Sequence, residues 1–217
     1  MKKKKESILV FCAHSDDQIF GPGATLAKYA EQGKEIYTII LSYGEAGLPW
    51  LKKEEAIKTR VKESEKADKI IGGRGILFLG LKEGKFLKQA EFKEIDEKIK
   101  HMINKIKPAK IFTHNPEDPH PDHRASYKIM MKILEDTGYS CEIYAFDIWN
   151  PFTFKRSHLP KLYVDVSDTF QKKIKALKCF PSQFSSLLAL FWSVYVRAIA
   201  HGLHIQKRYA ERFFKIR

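Results

Sequence analysis

Two short polar clusters carry the residue types that do chemistry. The first is His14-Ser15-Asp16-Asp17, one imidazole and two carboxylates within four positions. The second, His120-Pro121-Asp122-His123, follows about a hundred residues later. Histidine and carboxylate ligands suit a borderline divalent cation such as Zn²⁺. A catalytic zinc takes three protein ligands and keeps one position open for water. His14, one of Asp16 or Asp17, and one of His120 or His123 supply such a set. The groups left over would stand beside the cation, a carboxylate as general base and a histidine as donor to a developing oxyanion. A bound cation lowers the pKa of its water toward ~7 and polarises a carbonyl. Together these parts suit hydrolysis of an amide or an ester.

Each cluster directly follows an apolar run. Ser7 to Cys12 reads as strand one and Lys110-Ile111-Phe112-Thr113 as strand four, with His114 to His123 as a polar loop behind it. Between them, Pro22 and Gly23 open a helix that closes before Gly33, and the β-branched run Ile36 to Leu41 forms strand two. A charged helix spans Lys53 to Ile71 and stops at Gly72-Gly73. Ile76 to Leu79 is strand three. Phe92, Ile95, Ile99, Ile103 and Ile106 recur at helical spacing, which predicts a helix from Ala90 to Ile106. Arg124 to Glu135 is predicted helical, Glu142 to Phe146 strand five, and Leu162 to Val166 an edge strand. Asp168 is expected to cap a helix to about Lys178, with the remainder helical. Strands alternating with helices imply an α/β fold, Rossmann-like, with three α/β/α layers and a mostly parallel sheet. In such sheets ligands bind outside the carboxyl ends of the strands, where both clusters fall. A single domain over 1–217 is expected, with a basic tail at 1–6 and a C-terminal helical segment from about 180 packing back on it.

Apolar residues make up 44% of the chain and charged ones 30%, the balance of a folded protein rather than a disordered one. The net charge is +13. Lys2 to Lys5 supply four of those charges, and Val196 to Arg217 holds six basic residues against one acidic. That excess serves solubility and also favours an anionic ligand, an anionic membrane surface or nucleic acid. No nucleic-acid recognition motif accompanies it, so a nucleic-acid partner is not expected. Three widely spaced cysteines form no disulfide framework and fit a reducing cytoplasm. The five-residue apolar run behind the N-terminal lysines is too short for a secretory signal. Leu187 to Ala200 is an apolar stretch with a single charge, Arg197, but short of a membrane span. A buried helix or a homo-oligomer contact is expected there, and the basic turns that follow also suit a membrane-interface helix.

Ala13-His14-Ser15-Asp16-Asp17-Gln18 resembles the Ala-His-Pro-Asp-Asp-Glu signature of the LmbE/PIG-L family of zinc-dependent N-acetylglucosaminyl deacetylases, and His120-Pro121-Asp122-His123 matches its second motif. Gly44-Glu45-x-Gly47, Arg60, Phe78-Leu79-Gly80, Ser182-Gln183, Gly202 and Tyr209-Ala210-Glu211-x-Phe213 are similar to family traits too, so the resemblance spans nearly the whole chain. It implies zinc bound by His14, Asp17 and His123. It also implies Asp16 as the general base and later acid, His120 as oxyanion stabiliser, and Asp122 as the group that orients His120 through a hydrogen bond. Arg60 and Glu45 are candidates for substrate contact. The implied partner is an N-acetylated amino-sugar conjugate, with an anionic or membrane-borne aglycone favoured by the basic C-terminal region. Ser15 in place of proline and Gln18 in place of glutamate depart from the pattern. The competing expectations are a metal-dependent esterase or phosphoesterase, and a non-catalytic Mg²⁺-binding signalling module. His114 and Asp118 read as loop polars beside the second motif. His201 and His204 read as surface or pocket-side packing, and Trp149, Phe152 and Phe154 as aromatic packing under a loop.

Overall fold

The structure, a computed structural model, describes residues 5–91, 93–148 and 159–217. The basic residues before Lys5, Phe92, and the Trp149, Phe152 and Phe154 group lie outside the described residues.

Five strands run parallel: β1 (Ser7–Cys12), β2 (Glu35–Ile40), β3 (Gly75–Phe78), β4 (Lys110–His114) and β5 (Glu142–Phe146). With β6 (Lys161–Asp165) and β7 (Ala210–Lys215) they form one sheet in the order β3-β2-β1-β4-β5-β7-β6. From β1 the chain winds outward through β2 and β3, then returns to place β4 on the other side of β1. The strand order therefore reverses between β1 and β4, the switch point at which an open α/β sheet leaves a crevice.

All six residues of β1 are buried, because helices cover both faces of the strand. Ile8, Val10 and Cys12 pack on one face, with Ala24, Leu26 and Ala27 of α2 (Gly23–Glu31) and Phe170 and Ile174 of α7 (Phe170–Leu177). Leu9, Phe11 and Ala13 pack on the other, with Ile99 and Ile103 of α5 (Lys93–Ile106) and Ile129, Met130 and Ile133 of α6 (Pro121–Thr137). Alternation along one strand thus feeds two cores, each fully buried branched or aromatic side chain contributing about 1.5–3 kcal/mol. The helix α3 covers Lys53–Ile71 as its sequence predicts. Gly72 ends it at φ +80°, a left-handed position that favours glycine.

Three expectations change. The helix predicted from Ala90 to Ile106 begins at Lys93 as α5, and a separate short helix, α4 (Phe86–Ala90), precedes it. Asp168 does not cap α7: Thr169 occupies that position, and its hydroxyl donates instead to Ala24 O at 2.8 Å. The C-terminal segment is not helical throughout. Helix α8 (Phe184–His204) stops where Gly202 packs against the backbone at Lys207 and Arg208, and Gln206 turns the chain at φ +57°. Residues 210–215 then enter the sheet as β7, antiparallel to both β5 and β6. A strand inserted there is covered on both faces, so Phe213 and Phe214 are both buried and the strand lacks the alternation that would mark it. Strand β6 lies at the edge, as its sequence suggests.

The apolar stretch in α8 is buried on one face only. Leu190, Val194 and Ala198 join the core, whereas Leu188, Trp192, Val196 and Ile199 are exposed. Among the described residues no helix is long and apolar enough to cross a membrane.

Candidate metal centre and active site

The first cluster forms as β1 gives way to a single helical turn, α1 (Asp17–Phe20). Asp16 stands at its N-cap, where its carbonyl accepts the N–H groups of Ile19 and Phe20. The His14 N–H donates to Asp17 Oδ2 at 2.7 Å, which folds the motif on itself. Of the two departures from the family pattern, the Gln18 side chain faces α3, whereas the buried Ser15 hydroxyl has no hydrogen-bond partner and only its carbonyl meets that helix. Gln18 Nε2 donates to Ser15 O and Ser64 Oγ (3.2 and 3.1 Å), and Ser64 Oγ donates to Ser15 O at 2.6 Å. Neutral hydrogen bonds therefore brace the backbone that carries the two aspartates.

The second cluster is not loop. His120 caps α6, its Nδ1 accepting the Asp122 N–H at 3.2 Å, and Pro121 takes the first helical position, where no N–H is needed. Asp122 and His123 thus sit in the first turn of a helix whose far end is anchored in the core. The sequence misleads here because three prolines between His114 and His123 read as loop.

Because β1 and β4 are neighbours, the clusters meet. Ligand atoms of His14, Asp17 and His123 lie within 4.8 Å of one another, as do those of His14, His120 and Asp122. His123 Nε2 is 3.4 Å from Asp17 Oδ1 and has no hydrogen-bond partner, although the ring is fully buried. On its other side His123 Nδ1 is 3.0 Å from Asp118 Oδ1. His114 is also buried. It stacks on His123 with ring centroids 3.9 Å apart, and its Nε2 lies 3.1 Å from Asp17 Oδ2 and accepts the Ala13 N–H at 3.1 Å. His114 and Asp118 are therefore supports of the cluster rather than loop polars. Their signal was positional: His114 ends strand four, where site residues gather. The Asp122 carboxylate accepts the Gly84 N–H (2.9 and 3.1 Å) and faces His14 Nε2 at 3.5 Å, so its main chain, not its carboxylate, reaches His120.

The electrostatics follow from burial among carboxylates. Burial opposes charge on His14, but Asp122 and Asp17 overcome it and push its pKa up to about 10. Against burial, Asp17 and Asp118 raise His123 to about 9. His114 falls to about 4 through burial and the neighbouring His123. Burial raises the Asp16 carboxyl, with Arg60 opposing. Despite burial, His123 and His114 hold Asp17 well below the usual carboxylate range. The cluster thus draws protons onto two would-be ligands, the positive charge a divalent cation would supply in their place. With the orphaned Nε2 of His123, and Asp118 behind its Nδ1 in the arrangement that orients metal-ligating histidines, the donor set fits a zinc-like ion.

The clusters open into a cavity of about 290 Å³ lined by His14, Asp16, Asp17, Glu83, His120 and Asp122, with Phe20, Ile148 and Leu190 as apolar wall. Arg60 also lines it. Its Nη1 is 3.9 Å from Asp16 Oδ2 and has no hydrogen-bond partner, and its Nε donates to Tyr43 O at 3.4 Å. Gly44 makes room for it: a Cβ there would lie 2.6 Å from Arg60 Nη2. Glu45 does not line the cavity, although Gly44 and Gly47 beside it do; its carboxylate is 3.8 Å from Lys53 Nζ. Glu83, 3.9 Å from His14 Nε2, is a wall residue that sequence reasoning missed, since it stands in an ordinary Lys-Glu-Gly turn. His201 and His204 flank Tyr163 (ring centroids 5.8 and 4.5 Å), away from this cavity.

A three-layer α/β fold with a histidine–aspartate cluster at its switch point defines the class, and comparison with known proteins gives the family. Residues 9–134 match the profile of PIG-L, the GlcNAc-PI de-N-acetylases, and the chain belongs to that family. It is 26% identical over 220 residues to a diacetylchitobiose deacetylase of Thermococcus kodakarensis, covering 95% of this chain and 81% of that one. It is 24% identical over 227 residues to a 4-oxalmesaconate hydratase of Pseudomonas putida, covering 95% and 84%. The solved N,N'-diacetylchitobiose deacetylase of Pyrococcus horikoshii superposes with a TM-score of 0.81 at 23% identity, over 98% of this chain and 84% of that one, and so shares the fold.

Proposed function

We propose that this protein is a zinc-dependent hydrolase that removes the acetyl group from an N-acetylglucosamine-type sugar conjugate. The observation that carries the reading is convergence. Ligand atoms of His14, Asp17 and His123 lie within 4.8 Å of one another; His14 and Asp17 line the same cavity as Asp16 and His120, and His123, backed by Asp118, is buried behind them. When bound, zinc supplies Lewis acidity to a water and to the amide carbonyl.

The chain's own groups do the rest. Asp16, its carboxyl raised by burial and steadied by Arg60, takes a proton from the attacking water and returns it to the leaving amine nitrogen. His120 faces the cavity with Nδ1 occupied by the Asp122 N–H. The proton of its neutral ring therefore sits on Nε2, ready to donate to the oxyanion. Arg60 offers Nη1 to a hydroxyl or anionic group of the substrate, and Phe20, Ile148 and Leu190 give a sugar an apolar wall. The deacetylase relative acts on a diacetylated chitobiose by its name, which supports an acetylated amino sugar here.

The test is acetate release from a panel of N-acetylglucosaminides by zinc-loaded protein, wild type beside Asp16→Asn. Release by the wild type, with a ~10²–10⁴-fold lower rate in the variant at unchanged zinc content, supports the reading. Full activity in Asp16→Asn removes Asp16 as the base. Phosphate release instead of acetate marks a phosphoesterase. Turnover of an unsaturated acid without acetate release sides with the hydratase relative.

A further inference from the structure

Helix α8 is apolar on its exposed face as well as on the face it buries with Leu190, Val194 and Ala198. Its exposed side chains between 188 and 203 are all apolar: Leu188, Trp192, Val196, Ile199 and Leu203 are 44–72% exposed, with Ala189 and Ala200 among them. The polar groups of that span turn inward instead. Ser193 is buried and donates to Leu190 O, Arg197 donates to Asp147 O at 3.0 Å, and His201 lies against Tyr163. A surface helix normally buries its apolar stripe and exposes its charges. Five of the eight large apolar side chains exposed among the described residues stand on this one helix. A contiguous stripe of this kind marks an interaction surface.

Area and charge choose the occupant. At 1.5 Å per residue and a helix width of about 10 Å, the stripe offers roughly 250 Å². A stable protein interface buries about 800 Å² on each partner. A second copy would also bring another net charge of +13 against the first. Helix α8 has no acidic residue, and the turn that follows it exposes Gln206, Lys207 and Arg208, with Lys161 exposed on the adjacent edge of the sheet. Lys207 lies 3.7 Å from Asp165, while Arg208 lies over the Tyr209 ring and Lys161 makes no ion pair among the described residues. Apolar side chains in a row beside basic ones, needing no matching surface, fit the interface of a bilayer with anionic headgroups.

We propose that α8 is a docking face that seats the protein on an anionic lipid surface. The helix also supplies Leu190 to the cavity wall, so docking places that cavity beside the lipid headgroups. The inference rests on α8 and the basic residues beside it, and holds whatever reaction the cavity performs.

Co-sedimentation of the whole protein with phosphatidylglycerol–phosphatidylcholine vesicles tests it. Phosphatidylcholine vesicles serve as the neutral comparison, and light scattering of the free protein runs alongside. The wild type is expected to bind the anionic vesicles and to bind the neutral ones more weakly. Val196→Asp with Leu203→Asp is expected to weaken binding at least about tenfold, since two apolar anchors become charges. Both positions are exposed, and circular dichroism and thermal unfolding verify that the variant folds. Arg208→Glu is expected to weaken binding to anionic vesicles and leave the neutral ones unchanged. Absence of wild-type binding to anionic vesicles overturns the proposal. So does unaltered binding by the double variant, which would make it a matter of lysine charge alone. A wild-type dimer broken by Val196→Asp would assign the stripe to a second copy and overturn it equally.

Discussion

Two sets of buried charges in this protein are solved in opposite ways. Lys173 on α7 and Glu211 on β7 are both buried, and every polar atom of the pair is used. Lys173 Nζ donates to Phe20 O, Gly21 O and Glu211 Oε1 (2.7, 2.8 and 2.6 Å), while the Glu211 carboxylate accepts the Ala24 and Thr25 N–H groups at the start of α2. The histidine–aspartate cluster is as deeply buried but incomplete: His123 Nε2, His114 Nδ1, Asp118 Oδ2 and Arg60 Nη1 have no hydrogen-bond partner. A buried polar network with all its bonds made rigidifies the fold, whereas buried groups left open and converging on a cavity are poised for something from outside. Charge and burial alone do not separate structure from chemistry in this molecule; several unsatisfied groups gathered in one place beside a cavity do.

The largest test of that contrast is Lys173→Met. It leaves the Glu211 charge buried without its partner and is expected to cost about 3–5 kcal/mol, read as a lower midpoint in urea unfolding, with zinc affinity unchanged. An unchanged midpoint would mean the completed network is not structural. Asp68 sharpens the contrast from another side. It is buried, its Oδ1 has no hydrogen-bond partner, and among the described residues it belongs to no group of converging ligating side chains. Burial, helped by Glu65, raises its pKa to about 7. Its folded pKa lies above the unfolded value, so its stabilising contribution is full below ~4 and lost as pH rises through about 7. Wild-type stability should therefore fall between pH 5 and 8, by on the order of 2–4 kcal/mol, and Asp68→Asn should flatten that fall. Parallel pH profiles of melting temperature in the two proteins would contradict this. The smallest effect is expected from Asp118→Asn, which leaves the fold intact and removes the group behind His123. Zinc affinity in competition with a chelator should drop about 10–100-fold. No change would make Asp118 a loop residue after all.

The parallel part of the fold was legible because its signals are local. Ile8 to Cys12 is a continuous apolar run, as a strand buried on both faces must be, and Lys53 to Ile71 carries both its helix and its glycine stop. The pairing of the two motifs followed from their position behind strands one and four. What escaped depended on tertiary context. Residues 210–215 become a strand only because β5 and β6 leave a gap with free hydrogen-bonding edges on both sides. Glu83 enters the cavity wall through the Gly84 N–H held by Asp122, a contact spanning 38 positions that no spacing rule contains. His120 could be named from its motif, but its tautomer rests on a backbone N–H that only the start of α6 directs at it.

The switch point between β1 and β4 has a consequence for how the protein is made. His14 and Asp17 on one side, and His123 on the other, are separated by the chain that forms β2, β3 and β4. They meet only once the three crossovers from β1 to β4 have wound and β4 has paired with β1. Two proposed ligands on one side and one on the other give no complete set to either half of an unfinished chain. A chain synthesised from its N-terminus would therefore capture the ion late, after the long-range pairing that is slowest to form. Bound ion would then act as a ratchet, drawing the equilibrium toward the finished sheet by its affinity for that state alone.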